Sequence, residues 1–264
     1  MRMTQTIAIS NQKGGVGKTT TAVNLAACLA DLGHRTLLVD LDPQSNASSA
    51  LGFDSNRLDA SIYDALLDHA APTVHPLDAQ HSNLFLLPSS MDLAGAEFEL
   101  IDREGRESAL RDALGRLDQP FDYILIDSPP SLGLLTLNAL VAARWVLIPV
   151  QAEYLALEGL SRMVQTIQRI NRKQNPELEI LGLLATLYDS RTNLAHQVLE
   201  ELRRAFPDKV FSTPVTRSVR LSEAPSYGQT ILRYDARSSG ALQYQQIAQE
   251  VIHVCEKASL GSRA

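Results

Sequence analysis

A chain of 264 residues with 45% apolar and 20% charged side chains has the composition of an ordinary globular protein and the length for one substantial core. A formal charge of −6 excludes a uniformly basic nucleic-acid binder, and no run approaches the roughly 20 apolar residues of a spanning helix. Two cysteines without paired-ligand spacing, Cys28 and Cys255, exclude a disulfide framework and a zinc site. Residues 4–10 (TQTIAIS) are too short for the apolar stretch of a signal peptide, so a cytoplasmic protein is expected.

Along the chain, short β-branched runs alternate with helical patterns. Residues 6–10 read as a strand and 17–32 as the helix that follows. Residues 35–40 (RTLLVD) and 83–87 (NLFLL) are the next strands. Strands at 122–127 (DYILID) and 145–150 (WVLIPV) then flank a helix at 132–142. A long amphipathic helix at 159–173, a strand at 180–187 and a helix at 193–205 follow, and a last helix covers about 239–257. Continuous apolar runs such as YILI suit strands buried on both faces, hence a parallel sheet. Without a linker or repeat, the expectation is an α/β fold: one domain over residues 1–264, a doubly wound, mostly parallel sheet with helices on both faces.

Charge is unevenly spread. Residues 186–240 hold eight Lys/Arg against six Asp/Glu, a net of +2, which leaves 16 against 24, or −8, for the rest. The six histidines, His34, His69, His75, His81, His196 and His253, form no metal spacing and read as structural or surface residues.

Between the first strand and its helix lies Lys13-Gly14-Gly15-Val16-Gly17-Lys18-Thr19-Thr20. Strand, glycine-rich loop, Gly-Lys-Thr and helix coincide as in a P-loop. Glycines let backbone N–H groups curl around phosphate oxygens, and the helix N-terminus adds partial positive charge. Lys18 is expected at the β- and γ-phosphates of ATP and the Thr19 hydroxyl on Mg²⁺. Asp127, at the end of an apolar strand, is the expected second Mg²⁺ ligand, directly or through water.

A P-loop needs no lysine at its start, yet Lys13 is there. The string KGGVGKTT resembles the deviant P-loop of the ParA/MinD group of ATPases, in which this early lysine reaches the partner's nucleotide across a dimer. The segment 38–44 (LVDLDPQ) resembles that group's second acidic motif, which implies that Asp42 positions the attacking water and that Asp40 is structural. Residues 151–160 (QAEYLALEGL) and 217–226 (RSVRLSEAPS) resemble segments of chromosomal ParA proteins of the Soj type. The resemblance runs from about residue 6 to 254. It implies adenine-side contacts around Val215 and Arg217, where Thr216 and Ser218 replace a proline and an asparagine common among relatives. It also implies an ATP-dependent homodimer that binds double-stranded DNA without sequence preference through Arg191, just before a helix, and Arg220, in a polar turn. Slow hydrolysis stimulated by a ParB/Spo0J-type centromere-binding partner, a nucleoid-associated location and a role in chromosome or plasmid partitioning complete that expectation.

Two rival functions share this loop. A MinD-like membrane-cycling ATPase needs a basic polar face on its last helix, whereas residues 247–257 offer Glu250, Glu256 and one lysine, Lys257. No membrane partner is therefore expected. A small-molecule P-loop enzyme is the other; a cluster-bearing reductase would need cysteines in a different setting from Cys28 and Cys255. With the loop beginning at Lys13, a preceding helix-turn-helix and sequence-specific operator binding are not expected.

Overall fold

The sheet is assembled from strands whose side chains are buried on both faces. In this computed structural model, which describes residues 3–67, 71–77, 82–153 and 156–261, β1 (Gln5–Ile9) leads through the glycine loop into α1 (Lys18–Asp31). Next come β2 (Thr36–Asp40), α2 (Asn46–Ala50) and α3 (Ile62–Leu67), then β3 (His75–Pro76) and β4 (Leu84–Leu87). Two short helices, α4 (Leu93–Leu100) and α5 (Ala109–Leu114), precede β5 (Tyr123–Asp127), α6 (Leu134–Ala142) and β6 (Trp145–Gln151). The chain continues with α7 (Ala156–Lys173), β7 (Glu179–Thr186) and α8 (Asn193–Ala205). It closes with α9 (Val219–Glu223), α10 (Ile231–Tyr234) and α11 (Ser239–Gly261).

The seven strands lie in the order β3-β4-β2-β5-β1-β6-β7, parallel except for the antiparallel edge pair β3–β4. Successive strand residues serve opposite layers, as the two-residue period demands. Ala8, Val39, Ile126 and Ile148 pack with α3 to α8. Their neighbours Ile9, Leu38, Leu125 and Leu147 pack with α1, α2, α10 and α11. This is the doubly wound arrangement expected from the sequence. Trp145, buried between β1 and β7, donates its indole N–H to Gln5 Oε1 at 2.9 Å, so the largest core side chain leaves no unsatisfied donor.

Several boundaries move for local reasons. The helix expected from residue 132 begins at Leu134, because Gly133 holds extended backbone as its N-cap. The strand expected to reach residue 187 stops at Thr186, where Leu187 takes a φ of 50° and turns the chain. The last helix runs on to Gly261. Arg220 lies in α9 and not in the expected polar turn, since the Ser218 hydroxyl accepts from the Leu221 N–H and caps a helical turn there. Tyr154, Leu155, His69 and His81 fall outside the described residues.

Candidate nucleotide and metal site

Parallel pairing brings the chemistry to one level. Ile9 sits opposite Asp127, and Asp127 opposite Asp40, so the glycine loop and both acidic strand ends emerge together at the carboxyl edge of the sheet. Open α/β sheets bind ligands at this edge, where the strand order reverses. Here β1 lies between β5 and β6, which makes the loop after β1 the centre of that crevice.

The loop owes its shape to two left-handed glycines, Gly15 at φ 73° and Gly17 at φ 82°, conformations that a Cβ disfavours. Gly17 is the N-cap of α1, and no side chain caps that end. The first N–H groups of a 14-residue helix therefore face the loop without an intrahelical acceptor. Tertiary hydrogen bonds tie the loop down. Thr186 Oγ1 donates to the Val16 carbonyl at 2.8 Å, Ser128 Oγ to the Ile9 carbonyl at 2.9 Å, and Asn11 Nδ2 to the Pro149 carbonyl at 2.7 Å. Lys13, Gly14 and Gly15 are exposed at the rim, whereas Val16 and Lys18 are buried and Thr19 and Thr20 half-buried.

Lys18 is 7% exposed, and its ammonium donates a long hydrogen bond to the Lys13 carbonyl at 3.4 Å. Burial lowers its pKa, opposed by the nearby carboxylates of Asp127 and Asp42. Asp127 is fully buried, and neither carboxylate oxygen completes a hydrogen bond. Burial holds its pKa well above the usual carboxylate range, with Asp40 and Asp42 pushing the same way. Thr19 and Lys18 favour the ionised form, though the Thr19 hydroxyl stops short of an ordinary hydrogen bond. A buried acid with both oxygens unsatisfied beside a threonine hydroxyl fits a hard divalent cation with oxygen ligands. Asp127 and Asp42 act on the one buried lysine and Asp40 crowds Asp127, an excess of acids that such a cation would offset.

Asp40 and Asp42 divide their roles. Asp40 Oδ2 accepts from the Ser48 N–H at 2.8 Å and the Ser48 hydroxyl at 2.7 Å, and Oδ1 accepts from the Asp42 N–H at 3.2 Å. Burial nevertheless pushes its pKa to about 6. Its oxygens are thus engaged in holding the turn, which is the structural role expected of it. Asp42 uses Oδ1 to accept from the Gln44 N–H at 3.0 Å, while its carbonyl accepts from Ser89 Oγ at 2.8 Å. Ser48 and Ser89 are buried partners that the sequence does not reveal, since a serine without a motif around it carries no signal of its own.

The remaining candidates sit at the periphery. Val215 packs in the core, with its N–H on the Ala185 carbonyl at 2.8 Å and its carbonyl accepting from the Tyr188 N–H at 3.0 Å. Arg217 is exposed nearby, its N–H on the Tyr188 carbonyl at 3.2 Å. Arg191 is a fork on Asp189, with Nε to Oδ1 at 2.9 Å and an N–H₂ group to Oδ2 at 2.7 Å. That fork holds the Asp189 carboxyl well below the usual range. Arg220 pairs with Glu223 at 3.1 Å and Asp235 at 3.6 Å. Both arginines are exposed, and both carry carboxylate partners. Burial pushes the Cys28 and Cys255 thiols up to about 12, so both are inert core side chains. No His/Cys/Asp/Glu cluster able to hold a metal by itself occurs among the described residues.

A glycine loop at the centre of a doubly wound sheet, with one buried and one exposed lysine and an unsatisfied acid beside it, defines a P-loop ATPase of the two-lysine type. A family model described as an AAA domain matches residues 4–180. The chromosome partitioning protein ParA of Myxococcus xanthus is 52% identical over 248 residues, covering 93% of this chain and 87% of that one. The sporulation initiation inhibitor protein Soj of Bacillus subtilis is 52% identical over 249 residues, covering 94% and 98%. Among solved structures, one named as cobyrinic acid a,c-diamide synthase from Mycobacterium smegmatis, with bound ADP and magnesium, is similar at a TM-score of 0.81 and 41% identity, over 94% of this chain and 93% of that one. The chain belongs to the ParA/Soj family of chromosome-partitioning ATPases.

Proposed function

We propose that the chain is an ATP-driven switch, which dimerises on ATP, binds double-stranded DNA without sequence preference as that dimer, and is reset by slow hydrolysis that a ParB/Spo0J-type partner stimulates. The observation that carries this reading is the division of labour between its two lysines. Lys18 is buried in the loop, whereas Lys13 stands exposed at the rim, where a second protomer can receive it. A cation supplied in trans makes full neutralisation of the phosphates depend on dimerisation, as an arginine finger does.

ATP and Mg²⁺ fit the site described. Backbone N–H groups from Gly14 to Thr20 would cradle the phosphates, Lys18 would give up its long bond to the Lys13 carbonyl for the β- and γ-phosphates, and Thr19 and Asp127 would hold Mg²⁺. The metal, when bound, neutralises phosphate charge and fixes the γ-phosphate for in-line attack. Asp42 orients the attacking water; phosphoryl transfer depends mainly on such positioning and on electrostatics. The adenine lies toward Val215 and Arg217.

Arg191 and Arg220 serve the DNA phosphates. Their carboxylate partners do not forbid this, since exposed ion pairs are weak and exchange readily. Two phosphate contacts per protomer, four per dimer, give a salt slope of about −3.6, so affinity falls about 100-fold between roughly 50 and 200 mM salt. An acidic chain with few contacts is thus a weak DNA binder as a monomer and a useful one as a dimer. This reading places the protein in the cytoplasm on the nucleoid.

A small-molecule synthetase is the second reading, favoured by the name of the Mycobacterium smegmatis structure. What favours the switch is Lys13, exposed at the rim, a second cation that a P-loop completing its charge within one protomer does not need. A membrane switch has less support. No described helix is long and apolar enough to cross a membrane, and Glu250 on α11 is committed to the Ser212 and Thr213 N–H groups at 2.8 and 3.2 Å. The deciding experiment is DNA retention with ATP, with ADP and without nucleotide. Retention is expected with ATP alone, and Arg191→Ala or Arg220→Ala is expected to reduce the salt slope by about 1.8. An ATP-bound dimer that ignores DNA at low salt would refute the DNA-binding role.

A further inference from the structure

Residue 13 is held at three atoms before any nucleotide enters. Its N–H donates to Asn11 Oδ1 at 3.0 Å, and Asn11 in turn reaches the Pro149 carbonyl of β6. Its carbonyl accepts the long bond from Lys18. Its ammonium pairs with Glu153 Oε2 at 3.4 Å, across 140 residues of sequence. Glu153 is aimed: Gln151 Nε2 donates to its other oxygen at 2.5 Å, and its own N–H folds back on the Gln151 carbonyl at 2.8 Å. The end of β6 therefore grips both the backbone and the side chain of the loop's first turn.

We propose that Glu153 is a positioning residue that parks Lys13 on its own protomer, so that dimerisation exchanges this carboxylate for the partner's nucleotide phosphates. The inference rests on the switch reading above and adds its brake. Phosphates entering the loop draw Lys18 off the Lys13 carbonyl, which removes one of the three restraints and leaves the Glu153 pair as the last hold on the side chain. Both side chains of the pair are about half exposed, 45% and 50%, so the brake is weak and screened by salt. Exposed pairs of this kind, broken once in each protomer, correspond to about a two- to thirty-fold change in a dimer dissociation constant.

The test is sedimentation of the full chain with ATP and Mg²⁺ in an Asp42→Ala background, where ATP persists. Adding Glu153→Gln is expected to tighten the dimer about two- to thirty-fold at low salt, with an unchanged unfolding midpoint and a difference that shrinks as salt is raised. Gln151→Ala, which leaves the charge in place but unaimed, is expected to act in the same direction by less. An unchanged or weaker dimer in the Glu153→Gln variant overturns the proposal. A control separates the two readings. If Asp42→Ala dimerises with ATP and adding Lys13→Ala abolishes the dimer, the switch stands and Glu153→Gln judges the brake alone. If Asp42→Ala forms no dimer, both fall.

Discussion

Replacing Lys18 by methionine keeps an unbranched stem in the core and removes one charge. Lys18 is 7% exposed, and burial outweighs the favourable Asp127 and Asp42 carboxylates at its ammonium, so the empty protein is expected to keep its stability. Nucleotide binding is expected to suffer. A charge-assisted hydrogen bond contributes about 1.5–3 kcal/mol, and removing one partner of a buried ion pair costs about 3–5 kcal/mol. At this degree of burial about 3 kcal/mol is the appropriate figure, a loss of roughly 150-fold in ATP affinity. Titration calorimetry with ATP and Mg²⁺ measures the affinity, and a thermal melt of the empty protein measures the fold. The expected result is a collapsed affinity beside an intact melting midpoint. An affinity within about threefold of the parent, against the expected 150-fold, would refute the placement of phosphate beside Lys18. A parallel loss of stability would mean that Lys18 supports the fold instead.

Lys13→Ala is expected to leave nucleotide binding by the monomer unchanged and to abolish the ATP-dependent dimer, as measured by light scattering. Asp42→Ala is expected to bind ATP and dimerise but to release no phosphate above background in a coupled assay. A wild-type rate would assign water positioning to another group. Asp40 supplies a pH test. Its folded pKa of about 6 lies above the ordinary 3.8, so the folded state keeps a proton that the unfolded state has lost. Stability from this group is therefore full below about pH 4 and declines until about pH 6, by on the order of 3 kcal/mol. Asp127 shifts in the same direction. Urea unfolding of the nucleotide-free protein across this range should show the decline, and Asp40→Asn should flatten it.

The phosphate loop was legible because its chemistry is contiguous. A strand, three glycines, Gly-Lys-Thr and a helix are local events, and local backbone geometry demands those residue types in that order. The layer architecture was legible for the same reason, since runs such as Leu37-Leu38-Val39 are apolar on both faces only when helices cover both sides. The short helices α2 to α5, α9 and α10 are not legible because four to eight residues carry too little periodicity, and Ser218, the cap of α9, reads in the sequence only as a departure from relatives. What tertiary structure alone decided were pairings between distant segments: Thr186 on Val16, Ser89 on Asp42 and Glu153 on Lys13. Each depends on which strand ends lie side by side, and the order β2-β5-β1-β6-β7 puts strands together that are far apart in the chain. Periodicity reports how a segment buries its own faces, whereas strand order follows from how helices and crossovers pack on the completed sheet. The acids and cations that meet at its carboxyl edge were therefore nameable from the sequence, but their partners were not.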